Sequence, residues 1–183
     1  QVNTATSYLH LNLNNAVASA STIYNNTEPT TSVFTIGTNS HVNTASGTYV
    51  AYCFANKKGY SKFGKYTGNG STDGTFVYTG FKPAFVIGKI TSDLNEWFMM
   101  DSVRSTFNVA NKSVYANTSG AENTNHNVDF LSNGFKLRDL LPAVSITLGG
   151  NFMIEKENPL PYGNVFDEPW KSKVLHQKFV VCF

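Results

Sequence analysis

The chain has 183 residues, of which only 14% are charged and 14% aromatic, with a formal charge of +2. That length fits one domain, or two small ones in intimate contact, and is enough to bury a core. Lys and Arg form neither a basic stripe for phosphates nor a polybasic run, and no apolar run approaches the ~20 residues of a membrane span, so neither a nucleic-acid partner nor membrane insertion is expected.

Polarity is carried mostly by Asn, Thr and Ser, which bond across exposed strands and close tight turns. In chain order, the first period-2 signal covers residues 8–14, with Leu9, Leu11 and Leu13 on one face and Tyr8, His10 and Asn12 on the other. Phe34 and Ile36 alternate about Thr35. The run TYVAYCFA (48–55) is apolar on both faces and reads as a central strand, with Cys53 a buried free thiol. Nothing in the spacing requires a disulfide between Cys53 and Cys182. Further strands are expected at 60–66, 75–80, 84–91, 96–101, 113–117, 128–131, 135–138, 150–155 and 176–183. One short helix or 3₁₀ turn is allowed near 102–112. Turn signals separate these runs, among them TGNGSTDG (67–74), Asn133-Gly134 and Gly149-Gly150. The pattern predicts a nearly all-β, antiparallel sandwich or jelly roll. Tyr49, Ala51, Cys53, Val86, Ile87, Phe135 and Leu137 are its candidate core.

A loose internal repeat pairs SVFTIG (32–37) with NGFKLR (133–138), and SGTYVAYCFA (46–55) with LGGNFMIEKEN (148–158). The offset of roughly 100 residues exceeds solenoid periods and points to two related half-domains. They are an incomplete first β half-repeat over 1–58, a second over 59–159 packed with it, and a tail over 160–183. The first half lacks a counterpart of 79–108, and the chain starts at Gln1 without Met. An upstream segment is expected to fill the gap, or else a neighbouring subunit donates strands. The tail carries Pro161 and Pro169 before the apolar end KFVVCF. That end either pairs with another chain or closes this domain's own sheet.

The segments TYVAYCFA (48–55), GYSKFGKYTGNGSTDGTFVYTGFKPAFV (59–86), WFMMDSVRS (97–105), DFLSNGFKLR (129–138) and ENP (157–159) resemble a known family. It is a concanavalin-A-like jelly-roll domain of uncharacterised role that recurs in virion proteins of marine bacteriophages. The match covers about residues 8–159, with 48–86 its most specific stretch. Residues 140–148 are more apolar than the family's usual turn, and the tail from Leu160 has no counterpart there. The resemblance implies a phage particle and a lectin-like fold. It supplies no catalytic residues.

Candidate chemistry is sparse. His10, His41, His126 and His176 lie far apart in sequence, with no metal-ligand pair on one element and no His bearing a placed orienting acid. Asp101, Ser102 and Arg104 read as a strand-end turn with a local Asp–Arg pair, and no Gly-x-Ser-x-Gly elbow is present. Among Asp73, Asp93, Glu96, Asp101 and Asp129 no pair stands out as two carboxylates facing one groove. Within 67–74, Asn69, Ser71 and Asp73 offer oxygens to a sugar or to Ca²⁺, although one carboxylate makes a poor hard-cation site, and a plain wide hairpin is the competing reading. Stacking platforms for a pyranose are sought among Tyr60, Tyr66, Tyr78, Trp97 and Trp170, most of which a sandwich this aromatic has to bury.

The residues therefore read as a structural or binding module and not an enzyme, with no cofactor and no metal. The expected role is a bacteriophage virion protein at the particle surface, an appendage or tail-fibre module with host-glycan adhesion. Sugar contact is assigned to Asn69, Ser71, Asp73, Trp97 and Trp170. Expected partners are other virion proteins, further copies in a homo-oligomer such as a trimer, and a host surface glycan. The alternatives are a capsid decoration protein and a stand-alone carbohydrate-binding module of a secreted protein.

Overall fold

In the computed structural model, residues 5–139 and three short strands beyond them are described, and these are almost entirely β. The N-terminal stretch contributes β1 (Ser7–Tyr8), β2 (Ala18–Ser19) and α1 (Ser21–Tyr24), a single helical turn. Asn25 ends that turn in the left-handed conformation, φ 53°, which Asn tolerates better than most residues. Then follow β3 (Tyr52–Phe54), β4 (Tyr66–Thr67), β5 (Phe76–Tyr78), β6 (Pro83–Gly88), β7 (Phe98–Asp101), β8 (Ser113–Tyr115), β9 (Val128–Leu131) and β10 (Gly134–Leu137). The last three are β11 (Thr147–Leu148), β12 (Ile154–Lys156) and β13 (Gln177–Phe179).

Every strand pairing is antiparallel. One sheet has the order β5-β10-β9, a second the order β12-β6-β7-β8. Pairing of Phe135 with Phe130 and with Val77 sets the first sheet's inner face. Pairing of Val86 with Met100 and of Gly88 with Phe98 sets the second's. Between them lies one core: Phe81, Val86, Ile90, Phe98, Met100, Ala110, Val128, Phe130, Phe135 and Leu137, with Tyr66 at its margin. A backbone bridge between Ala110 and Val128 ties the segment leading into β8 to β9.

The elements from β5 to β10 overlap the strands that alternation predicts, while the earlier ones are shorter than expected: of the strand expected over 60–66 only Tyr66 lies in one, in β4. The strand over 8–14 shrinks to β1, because its backbone groups serve another segment. The Trp97 indole donates to the His10 carbonyl (2.8 Å), Asn95 N–H to Asn14 O (2.8 Å), and Val17 N–H to Thr91 O (2.8 Å). Phe34 and Ile36 belong to no strand, and Ile36 is exposed. The apolar run 48–55 is a strand only over β3. Tyr49 and Ala51 are exposed and Cys53 and Ile87 half-buried, so four of the seven candidate core residues are not core. The Tyr49 hydroxyl explains its position: it donates to Ser40 O (3.0 Å) and accepts from Thr44 N–H (2.8 Å), clasping a surface turn. The partner of β3 is β13 of the same chain, Cys53 facing Lys178 in the register, and the two form a two-stranded sheet of their own. Cys182 lies outside the described residues. The helical turn sits at α1 and not near 102–112, where the chain makes a hydrogen-bonded turn.

Lys89 is fully buried just past β6. Its ammonium donates to the carbonyls of Ile90 (2.6 Å) and Asp93 (3.1 Å), and burial pulls its pKa below the ordinary value despite the nearby charges of Glu96 and Asp93. It thereby pins the loop that receives the N-terminal stretch. Among the described residues no helix is long and apolar enough to cross a membrane.

Phe135 has no exposed surface, whereas Tyr49 is 42% exposed. Phe135→Ala is expected to cost about 3–5 kcal/mol. Tyr49→Ala should cost about 1 kcal/mol or less, since it loses only surface hydrogen bonds. Urea denaturation of both variants checks the contrast.

Candidate functional site

Period-2 geometry gives the three-stranded sheet a second face that points away from the core. On β5 it carries Phe76 and Tyr78, 42% and 65% exposed, on either side of the inward Val77. The register sets Phe76 beside Lys136 and Tyr78 beside Gly134. Gly134 has to be glycine here: a Cβ would stand 2.9 Å from the Phe76 ring and 2.2 Å from the Val77 carbonyl oxygen. Gly80 (φ 83°) follows the strand, and the Tyr78 ring passes within ordinary contact distance of where its Cβ would be. Both aromatic side chains therefore lie over backbone that bears no side chain.

Beside the rings runs a chain of charges. Arg138 donates from Nε to Asp129 Oδ2 (2.6 Å) and from Nη1 to Asp73 Oδ1 (3.1 Å). Lys136 donates from Nζ to the same Asp73 oxygen. Asp129 is buried under this pair, while the Asp73 side chain is largely exposed. The Lys136 bond and charge hold the Asp73 carboxyl below the ordinary carboxylate value, with Arg138 adding to the effect. Asp129 in turn holds the Arg138 guanidinium more firmly protonated.

Asp73 reaches this face from the 67–74 loop, which spends its other oxygens on itself. Asn69 Nδ2 donates to Asp73 O (2.9 Å), Ser71 N–H donates to Asn69 Oδ1 (3.2 Å), and Asp73 N–H donates to Ser71 Oγ (3.1 Å). Asn69 and Ser71 are thus braces of the loop, and Asp73 is the member that it presents. No group of three or more His, Cys, Asp or Glu able to hold a metal occurs among the described residues.

The inner side of the same hairpin ends in a buried polar cluster. Continuing the Leu137–Val128 register sets Asp139 opposite His126, and Asp139 Oδ2 lies 3.3 Å from His126 Nδ1. Asn127 Nδ2 donates to Asp139 Oδ1 (2.9 Å). The His126 ring stacks on Phe98 (4.7 Å between centroids) and meets the edge of Tyr115 (5.9 Å). Its Nε2 is buried without a hydrogen-bond partner among the described residues, beside a small hollow lined by Tyr66, Ile90, Phe98, Leu137 and Asp139. The expectation that no His carries an orienting acid is therefore corrected. The pairing depends on a register that the separate positions of His126 and Asp139 do not reveal.

Other expected contacts fall elsewhere. Trp97 is 4% exposed and its indole N–H is committed to His10 O, so neither ring face is offered to a sugar. Tyr66 is also buried, Tyr60 is exposed beneath the Lys57 ammonium (5.4 Å), and Trp170 lies outside the described residues. FVY is apolar throughout and so does not mark Phe76 in the sequence; its place on the outer face of β5, opposite in direction to Val77, leaves it exposed. His10 and His41, distant in sequence, meet at 5.5 Å, and burial followed by the His41 charge lowers the His10 pKa. Asp101 forms the local turn expected of it, accepting from Val103 and Arg104 N–H and pairing with the Arg104 side chain (2.9 Å). Of the five acids weighed as a carboxylate pair, Asp73 and Asp129 do converge, on Arg138.

These features define an antiparallel, nearly all-β domain with one outward face of aromatic and charged side chains. The chain belongs to a family of unknown function, its residues 1–155 matching the model Domain of unknown function (DUF7483). No curated protein and no solved structure matches it.

Burial, with the Asp139 charge behind it, raises the Tyr66 pKa well above 10.0. Above pH 10 the unfolded chain releases a proton that the folded chain keeps, so stability falls as pH rises. The slope of stability against pH above about 10 should be shallower in Tyr66→Phe by up to about 1.4 kcal/mol per pH unit. Denaturation midpoints of both proteins from pH 9 upward measure this.

Proposed function

We propose that this chain is a bacteriophage virion protein, an appendage or tail-fibre module of concanavalin-like jelly-roll type, whose outer β5-β10-β9 face adheres to a host surface glycan. Support for the phage assignment comes from the resemblance carried by residues 48–86, 97–105 and 129–138. The observation that carries the adhesive role is the pair Phe76 and Tyr78, held outward over Gly134 and Gly80 beside the Asp73–Lys136–Arg138–Asp129 network. Two rings grouped on one rigid strand beside paired charges offer a platform, and a ring face suits the C–H face of a sugar.

The same geometry favours binding over glycoside hydrolysis. A general acid has to hold its proton near neutral pH, whereas Asp73 is held ionised by Lys136 and both carboxylates are engaged with Arg138. In the oligomer proposed for such a module, several copies of the face act together, so that weak single contacts add by avidity.

On an array of bacterial surface glycans, the wild-type chain should be retained and released by free sugar, while the Phe76→Ala/Tyr78→Ala variant is not retained at an unchanged melting temperature. Equal retention of the two proteins would sink the adhesive role. Immunogold labelling of particles locates the protein: tail label is expected, and label over the whole capsid would favour the decoration alternative.

A further inference from the structure

Resting on the adhesive reading of the outer β5-β10-β9 face, we infer that its ligand is a neutral oligosaccharide, two successive sugar rings stacking on Phe76 and Tyr78 with hydroxyls shared between Asp73 and the Lys136–Arg138 pair. Two residues along one strand face separate the stacking positions by about 7 Å, which suits a run of rings and not a single one.

Charge and hydrogen-bond capacity exclude the acidic sugars. The face holds two carboxylates, Asp73 and Asp129, against two cations, Lys136 and Arg138, and each cation already has its counter-charge: Lys136 on Asp73, Arg138 on both. Among the described residues of this face a uronate or sulfate would meet no unmatched cation, and it would have to approach the exposed Asp73 carboxylate. What the network leaves over is mixed. Both bonds to Asp73 fall on Oδ1, so Oδ2 keeps its accepting capacity, while Lys136 and the second Arg138 amino group keep N–H donors. A sugar hydroxyl donates and accepts at once, and is the group that such a set completes. Because Asn69 and Ser71 fix the loop beforehand, Asp73 meets the ligand already placed.

The test is isothermal titration of the whole chain with two sets of probes: neutral malto-, laminari- and xylo-oligosaccharides, and anionic oligogalacturonate and heparin fragments. At least one neutral series should bind, better as a tetramer than as a monosaccharide, with affinity nearly unchanged from about 50 to about 500 mM salt. Phe76→Ala and Tyr78→Ala should each weaken it by about tenfold. Asp73→Asn should weaken it while the fold, followed by circular dichroism, persists. Tighter, salt-sensitive binding of an anionic probe that Phe76→Ala abolishes would overturn the neutral class and leave the adhesive face standing. Neutral binding that survives both aromatic substitutions would overturn the inference and the adhesive face together, as would the absence of binding by every probe here and by every glycan on the array.

Discussion

Everything described between residues 66 and 139 depends on how β10 is registered between its two neighbours. Phe135 faces Phe130 on one side and Val77 on the other, and that choice sends Leu137 inward to Val128 and Lys136 and Arg138 outward. A slip by one residue would turn the two cations into the space between the sheets and put Phe135 and Leu137 in water, since side chains alternate at every step. Ions buried without partners cost several kcal/mol each, so the penalty for the wrong register is far larger than any surface contact could repay. Core and outer face are thus settled by the same pairing.

The 67–74 loop shows how a glycine-rich connection is given one shape. Asn69 and Ser71 each bond to backbone within five residues, and the Thr75 hydroxyl donates to Thr67 O (2.7 Å) across the loop's neck. Short polar side chains that bond their own backbone are what turn such a segment into a defined turn. Lys136 and Arg138 then hold its one carboxylate against the sheet. The loop takes its shape largely from within, and it joins the rest of the fold through β10 and through the pairing of Thr67 with Thr147 of β11.

Much of this was legible in the residues themselves, and the failures have a common cause. Strands from β5 to β10 follow alternation and turn chemistry, both local, and Val86, Phe135 and Leu137 are core as their pattern implies. Asp73 was selectable because it is the one acid in its loop. Which aromatic rings are buried was not legible, because burial belongs to the neighbours and not to the ring. Trp97 is covered by a segment arriving from around His10, and Tyr49 is drawn out to the surface by Ser40 and Thr44. His126 and Asp139 meet only through the hairpin's register, and the apolar composition of 48–55 says nothing about what is available to pack on it. The extent of β1 failed for a similar reason: the carbonyl of His10 and that of Asn14 were claimed by Trp97 and Asn95.

Lys89 has a practical side. An acylating reagent attacks a lysine through its neutral, accessible amine, and the amine of Lys89 is enclosed with two backbone carbonyls at 2.6 and 3.1 Å. Lysines at the surface, such as Lys57 and Lys58, react on the timescale of the reagent. Lys89 reacts only when the loop after β6 lifts away, so the rate at which it is labelled counts those opening events. One built-in residue thus serves as a clock for local unfolding at the seam where the N-terminal stretch joins the sheets.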